Sequence, residues 1–382
     1  MRGMTDTNFR TLFDLPRDLT YLNCAYMGPM LKAAAAAGQA AYDRRQRPWE
    51  MVVQDQFFDQ PEALRREAAK LFSATADDIA LIPAASYGLA MAAQNLELSA
   101  GQEILTLAEQ FPSNVYVWRE KAAQAGAKVK TVTRSANQSW TEAVLEMIGP
   151  QTAIAALPEV HWADGGKVDL VAVGVALRSQ GGRLVLDLTQ SLGTSRFDLN
   201  QIRPDFAISA GYKWLLGPYT LSYAYIAPEH QTGRPLEQGW ITREGAEDFA
   251  RLVNYSDNYA RGARRFDMGE RSGFQLVPAA LKSLEWLNSL GMEALSDALL
   301  QRTEALEAAV QPLGVHCDTP DRAGHYLCLA LPDHAPADLA AHLGDAGISV
   351  SQRGARLRVT PHLYTDEIDI ERFAEAVKAA LS

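Results

Sequence analysis

Between residues 78 and 228 the chain alternates short apolar, β-prone runs with longer stretches of helical pattern, and no other feature restricts the fold as strongly. The runs are DIALIPAA, QEILTLAE, AKVKTVTR, TAIAALPEV, GRLVLDLTQ, DFAISAGY and TLSYAYIAP; among the segments between them are SYGLAMAAQNL, SNVYVWREKAAQAG and VDLVAVGVALRSQGG. Strands that alternate with helical segments favour a mainly parallel sheet with helices on both faces. The rhythm therefore predicts an α/β fold. Two helical segments, LKAAAAAGQAAYDRRQ and QPEALRREAAKLF, precede it. Near residue 275 the pattern changes: one long helical segment leads into HYLCLALP, ADLAAHLGDAG, ISVSQ, ARLRVTP and a closing helix, DEIDIERFAEAVKAALS. This reads as a smaller C-terminal α/β domain joined through the long helix.

The 382 residues suit two unequal domains, and 47% hydrophobic with 21% charged residues is the balance of an ordinary globular protein. A formal net charge of −10, with no Lys/Arg run longer than two, argues against nucleic acid as a partner. Residues 1–20 carry neither the apolar core of a secretion signal nor an Arg-rich transit pattern, and the apolar stretch from Phe206 to Pro228 is interrupted by Lys213 and Pro218. A cytoplasmic protein without membrane contact is expected. Cys24, Cys317 and Cys328 show no C-x-x-C spacing, so neither a disulfide framework nor a metal site is expected. The phosphate-binding sequences G-x-G-x-x-G and G-x-x-x-x-G-K-[ST] are absent, which removes the usual nucleotide sites.

In open α/β sheets ligands bind at the carboxyl ends of the strands. There the chain places Ser86 and Tyr87, Phe111, His161 and Trp162, Asp187 and Gln190, and finally Lys213 between Tyr212 and Trp214. A lysine at a buried strand end is driven toward the neutral, nucleophilic amine; the other reading packs its stem on the aromatics and leaves its head in water. Asp187 ends the apolar strand RLVLD, and a buried carboxylate needs a cationic or hydrogen-bonding partner such as a protonated pyridine nitrogen. PAASYGLAMAAQNL is a small-residue turn opening a helix, which presents free N–H groups to an anion. Schiff-base lysine, ring-nitrogen carboxylate, ring-stacking group and phosphate cradle are together what pyridoxal 5'-phosphate requires.

VLDLTQSLG followed by ISAGYKWLLGP resembles the Asp-x-x-Gln and Lys signatures of the class V pyridoxal-phosphate enzymes. That fold-type I group includes cysteine desulfurases, kynureninases, isopenicillin-N epimerase-like proteins and some aminotransferases. The likeness runs from YLNCAYMGP to LRVTPHLYTDEIDIERF. It implies a large cofactor-binding domain (31–265) with a mainly parallel seven-stranded sheet, a small C-terminal domain (266–382), and an N-terminal segment (1–30) that serves both the active site and the small domain. A homodimer with its active site at the subunit boundary is implied as well.

Carried over residue by residue, the resemblance gives Lys213 the aldimine with the cofactor and the α-proton, Asp187 the pyridine nitrogen, and Gln190 the phenolic oxygen. Ala85, Ser86 and Tyr212 take the phosphate, and Phe111 stands where desulfurases place a ring-stacking histidine. Arg358 is matched to the substrate α-carboxylate, with Asn23 and Trp162 beside the substrate. Local explanations also exist: loop capping for Gln190, core packing for Phe111 and Tyr212, a turn for Asn23.

Two departures matter. The segment ISVSQRGARLRVT holds no cysteine where desulfurases carry theirs, so persulfide chemistry is not expected. Where relatives often have Gly-Thr, Gly269 is followed by Glu270 and Arg271, read here as an ion pair at a helix start. The implied activity is transformation of an amino acid through an external aldimine, as a class V aminotransferase or, alternatively, as a β-eliminating lyase or epimerase. A non-catalytic binding module on the same scaffold is the reading outside enzymology.

Overall fold

All seven apolar runs become strands of one sheet. In the computed structural model, which describes residues 8–382, the strands in chain order are β1 (Thr20–Tyr21), β2 (Ile79–Ile82), β3 (Glu103–Leu107), β4 (Lys128–Val132), β5 (Thr152–Pro158), β6 (Arg183–Asp187), β7 (Phe206–Ala210), β8 (Ser222–Ile226), β9 (His316–Cys317), β10 (Leu327–Ala330), β11 (Ile348–Ser349), β12 (Ser351–Arg353) and β13 (Arg356–Val359). Residues 1–7 of the expected N-terminal segment lie outside the described residues. The large sheet has the order β2-β8-β7-β6-β5-β3-β4, and only β8 runs against its neighbours.

Burial on both faces explains why these strands, the edge strand β4 (KVKTV) apart, read as apolar runs. Ile79 and Leu81 face one core while Ala80 and Ile82 face the other; Leu184 and Leu186 alternate with Val185 in the same way. A polar residue at any of these positions would enter a core rather than solvent. The chain belongs to fold type I in its architecture: a mostly parallel sheet flanked by helices.

Local signals set the connecting helices. Ser139 caps Trp140–Met147 in a capping box with Glu142, Asp169 caps Leu170–Ser179 through the N–H groups of Val171 and Ala172, and Gly126 (φ 66°) stops Ser113–Ala125. The long helical segment after residue 275 is not one helix. Gly291 adopts φ 78° and divides it into Leu276–Leu290 and Met292–Val310, a conformation open to glycine at little cost.

A second, four-stranded sheet, β12-β13-β10-β9, packs with the closing helix Glu367–Leu381 around its own core, which includes Leu306, Leu329, Leu357, Phe373 and Val377. Leu22 reaches into this core from the N-terminal segment, where β1 pairs parallel with β11 and Asn23 bridges to Thr360. A few residues on, Gly28 donates its N–H to the Tyr212 carbonyl at 2.9 Å. The same strip of chain thus ties the small sheet to the lysine loop. No helix among the described residues is long and apolar enough to cross a membrane.

Candidate active site

The carboxyl ends of β2, β3, β5, β6 and β7 open onto one cavity of about 270 Å³. Ala85, Ser86, Phe111, Trp162, Asp187, Gln190, Tyr212 and Lys213 all line it. Eight side chains from five separate stretches of sequence are brought together by a sheet whose parallel strands end at one level.

Lys213 follows β7 by three residues and is 7% exposed. Its Nζ lies 5.4 Å from the Phe111 ring centroid and 5.9 Å from that of Tyr212. Burial lowers its pKa from the ordinary value to about 8; Asp187 opposes that shift, and the positive charges of Arg358 and Arg353 reinforce it. The neutral amine is therefore reached at a lower pH than for an exposed lysine, although below about pH 8 the protonated form still prevails. Asp187 is buried, accepts the Thr189 N–H at 3.0 Å, and has no cation within salt-bridge range among the described residues. A buried carboxylate of this kind, facing a void, can receive a protonated heterocyclic nitrogen.

The helix Ala85–Asn95 starts at the cavity wall. Its N-cap residue, Ala84, supplies no side-chain acceptor, so the N–H groups of Ala85 and Ser86 have no partner from the helix itself. They are open to an anion, and the helix dipole favours one there. Acid, amine and anion cradle fit the cofactor that the sequence resemblance implies.

Gln190 is held from three sides. Its Nε2 donates to Ala25 O (3.1 Å), its Oε1 accepts from Trp214 Nε1 (3.0 Å), and its carbonyl accepts from His325 Nε2 (2.7 Å). Phe111 meets Trp162 edge to face at 5.4 Å, and Tyr212 packs on Tyr219 at 4.7 Å. Arg358 and Asn23 do not line the cavity. They stand together behind Trp162: Arg358 donates to Trp162 O (3.3 Å) and to Ser351 Oγ (3.2 Å), and Ser351 donates to Asn23 Oδ1 (2.8 Å). Arg358 is 1% exposed and its Nε has no partner.

Residues 49–371 match the model of the family described as aminotransferase class-V. The chain belongs to that family. Enzymes of this class work with pyridoxal phosphate, and this class-V chain is a pyridoxal-phosphate enzyme. It is 24% identical over 376 residues to an uncharacterized aminotransferase, YcbU, of Bacillus subtilis, covering 97% of each chain. It is 28% identical over 316 residues to a kynureninase of Deinococcus radiodurans, covering 80% of this chain and 74% of the relative. Among solved structures it is similar to a Lys-to-Ala mutant of C-DES with glycine covalently linked to its cofactor, with a TM-score of 0.87, 21% identity, and coverage of 97% of this chain and 99% of that one.

Several cavity residues of this class-V enzyme were not among the sequence candidates: Gln110, Thr189, Tyr219, Thr220 and Ser222. Thr220 and Ser222 escape the rule of strand carboxyl ends because β8 is antiparallel and brings its amino end to the same level. Gln110 adjoins Phe111 and carries a visible signal in its polarity at a strand end; its Oε1 accepts the Phe111 N–H at 2.7 Å and its Nε2 is buried without a partner. His161, grouped with the strand-end residues by sequence, is absent from the cavity wall; its ring nitrogens meet Asp164 (3.1 Å) and Ala108 O (3.0 Å), a structural lock.

The expected Glu270–Arg271 ion pair does not form. Arg271 instead reaches back across a non-helical turn to Asp267 at 2.8 Å, where Asp267 also binds Arg65. None of the three cysteines lines the cavity, and burial pushes the thiols of Cys24 and Cys328 upward, away from the reactive thiolate. Elsewhere, Asp205, Glu229 and His230 bring ligand atoms within 4.8 Å of one another, and Asp205 already accepts from His230 (2.7 Å) and Leu184 N (2.8 Å).

Proposed function

We propose that this chain is a class V aminotransferase acting on an amino acid, with Lys213 as the covalent anchor of the cofactor and the group that moves the proton at the substrate α-carbon. The observation that carries this reading is a buried lysine of lowered pKa sharing one cavity with the unpaired carboxylate of Asp187 and an uncapped helix N-terminus. When bound, pyridoxal phosphate supplies an electron-withdrawing ring that stabilises negative charge on the carbon next to the amino nitrogen. Asp187 would keep the ring nitrogen protonated, Ala85, Ser86 and Tyr212 would hold the phosphate, Phe111 would cover a ring face, and Gln190 would donate its remaining amide hydrogen to the phenolic oxygen.

On the substrate side, Arg358 would bind the α-carboxylate, with Asn23 and Ser351 fixing the guanidinium from behind and Trp162 as the adjoining wall. The match to an aminotransferase supports transamination; an isopenicillin N epimerase of Amycolatopsis lactamdurans matches over an equal span, so epimerisation stays as the alternative beside β-elimination. The absence of a cysteine from the cavity wall speaks against a desulfurase-type mechanism, in which a protein cysteine accepts the sulfur. We also propose a cytoplasmic homodimer. Trp49, Val253 and Tyr255 are 78%, 75% and 92% exposed, an apolar display that suits burial against a second copy. The division at residues 30 and 265 belongs to the same reading; the separate core around Leu329 and Leu357 supports it, although the helix Leu276–Leu290 buries Val277, Ala280 and Leu284 in the first core.

Purified protein should absorb in the visible range and lose that band in Lys213→Ala. It should also consume an amino acid only when a keto-acid acceptor is present. A coloured protein that releases ammonia without an acceptor would replace transamination by elimination, and a protein that stays colourless after incubation with the cofactor would remove the reading altogether.

A further inference from the structure

Antiparallel pairing of β12 with β13 sets Arg353 opposite Arg356 and Ser351 opposite Arg358, so these four side chains share one face of the ladder. Their charges are treated differently. Arg356 is engaged by both oxygens of Asp318. Arg353 and Arg358 have no carboxylate within salt-bridge range among the described residues, and the Nε of each is buried without a partner. Arg358 is buried and Arg353 partly so, with Nη1 given to the Gln352 carbonyl at 2.8 Å; guanidinium groups withdrawn from water without a counter-ion are costly, and an anion that enters relieves the cost.

Both cations flank one residue. The Arg353 guanidinium lies 5.2 Å from the Trp162 ring centroid, and Arg358 donates to the Trp162 carbonyl at 3.3 Å. Trp162 in turn walls the Lys213 cavity on one side and a second cavity of about 750 Å³, to which Arg353 contributes, on the other. The fields of both arginines reach Lys213, since both favour its neutral form. One α-carboxylate satisfies one guanidinium. The other is left over.

We infer that the substrate is an amino acid with a second, side-chain carboxylate, and that Arg353 receives this group while Arg358 holds the α-carboxylate. This rests on the reading of the Lys213 cavity as an amino-acid site. Bidentate, charge-assisted pairing would make Arg353 the residue that selects diacids over neutral amino acids of equal length.

The test uses calorimetric titration of the full chain, as purified, with glutarate and with pentanoate, the visible spectrum of each sample being recorded alongside. Glutarate should bind roughly 10- to 100-fold more tightly than pentanoate. Arg353→Gln should erase the difference while leaving pentanoate affinity in place, Arg353→Lys should restore part of it, and Arg356→Gln should leave it unchanged. Equal binding of the two acids by the parent protein, or a difference that survives Arg353→Gln, would overturn the assignment. So would a loss in Arg356→Gln as large as that in Arg353→Gln. Should Arg353→Gln fail to fold, Arg353→Lys decides, because full parental discrimination there argues against the bidentate contact. A protein that stays colourless after incubation with the cofactor and still discriminates through Arg353 defeats the cofactor reading and upholds the dicarboxylate site; a coloured protein without discrimination does the reverse.

Discussion

The indole N–H of Trp214 donates to Oε1 of Gln190 at 3.0 Å, joining the residue after the cavity lysine to the glutamine that follows the cavity carboxylate. Trp214 is fully buried and also meets the His325 ring edge to face at 4.5 Å. His325 is held neutral by burial, with its pKa lowered to about 4, so its Nε2–H can serve the Gln190 carbonyl throughout the physiological range. Gln190 is therefore fixed before any ligand arrives.

Trp214→Phe keeps the aromatic packing but leaves Gln190 Oε1 buried without a donor. A loss of about 1–3 kcal/mol in unfolding free energy is expected, measured by urea denaturation. Combined with Gln190→Ala, the two losses should fall short of their sum, because the second change removes the orphaned acceptor. Simple additivity in that cycle would show that the contact is not coupled.

The lowered pKa of Lys213 has a definite sign in stability. Below about pH 8 the amine is protonated in both folded and unfolded chains, and the folded state bears the cost of its burial. Between about 8 and the ordinary value of 10.5 the unfolded chain binds more protons, so stability rises with pH and then levels off. For protein stripped of cofactor, Lys213→Met should add on the order of 2–3 kcal/mol at pH 7 and nothing above pH 10.5. A parent protein whose unfolding free energy has no more upward slope than Lys213→Met across that window would contradict the assigned burial cost.

Much of this arrangement was legible in the sequence for identifiable reasons. Strands buried on both faces write themselves as apolar runs, so all of β2 to β8 but the alternating edge strand β4 could be read in this way, and the parallel strands carry Asp187 and Lys213 to a common edge. What stayed hidden depends on chain reversal or distance. The antiparallel direction of β8 concealed Thr220 and Ser222, and the single φ of 78° at Gly291 broke a helix whose composition reads as continuous. Arg271 pairs with Asp267 and not with the adjacent Glu270 because the chain between them folds into a turn, with the Arg271 N–H on the Met268 carbonyl, and no helix starts until Leu276.

Gly28 passes so close to the lysine loop that a Cβ built there would lie 2.1 Å from Lys213 O and 2.8 Å from Leu216 Cδ2. The first of these atoms is backbone and cannot swing away. Gly28→Ala should displace the N-terminal strip, break the Gly28 N–H bond to Tyr212 O, and cost about 1–3 kcal/mol. Limited proteolysis should then cut within residues 20–30 faster than in the parent protein. An unchanged cleavage rate together with an unchanged urea midpoint would mean that the close approach is relaxed in solution.

Asp267 is the acid on which the β2 edge of the large sheet depends. Its carboxylate accepts from Arg65 at 2.7 and 2.9 Å, from Arg271 at 2.8 Å, and from the Leu81 N–H of edge strand β2 at 2.8 Å. The Arg65 and Asp267 side chains are wholly excluded from solvent. Glu62 also approaches Arg65 at 3.0 Å but is itself shared with Arg264, so it does not replace Asp267. Asp267→Asn retains shape and loses the charge, leaving Arg65 and Arg271 buried with too little negative charge between them. The expected loss is about 3–5 kcal/mol in urea unfolding. Arg271→Met, which removes one of the two cations and leaves Asp267 paired with Arg65, should cost clearly less. If the two variants proved equally destabilised, the network would have to be treated as a set of independent pairs and not as one acid serving two bases.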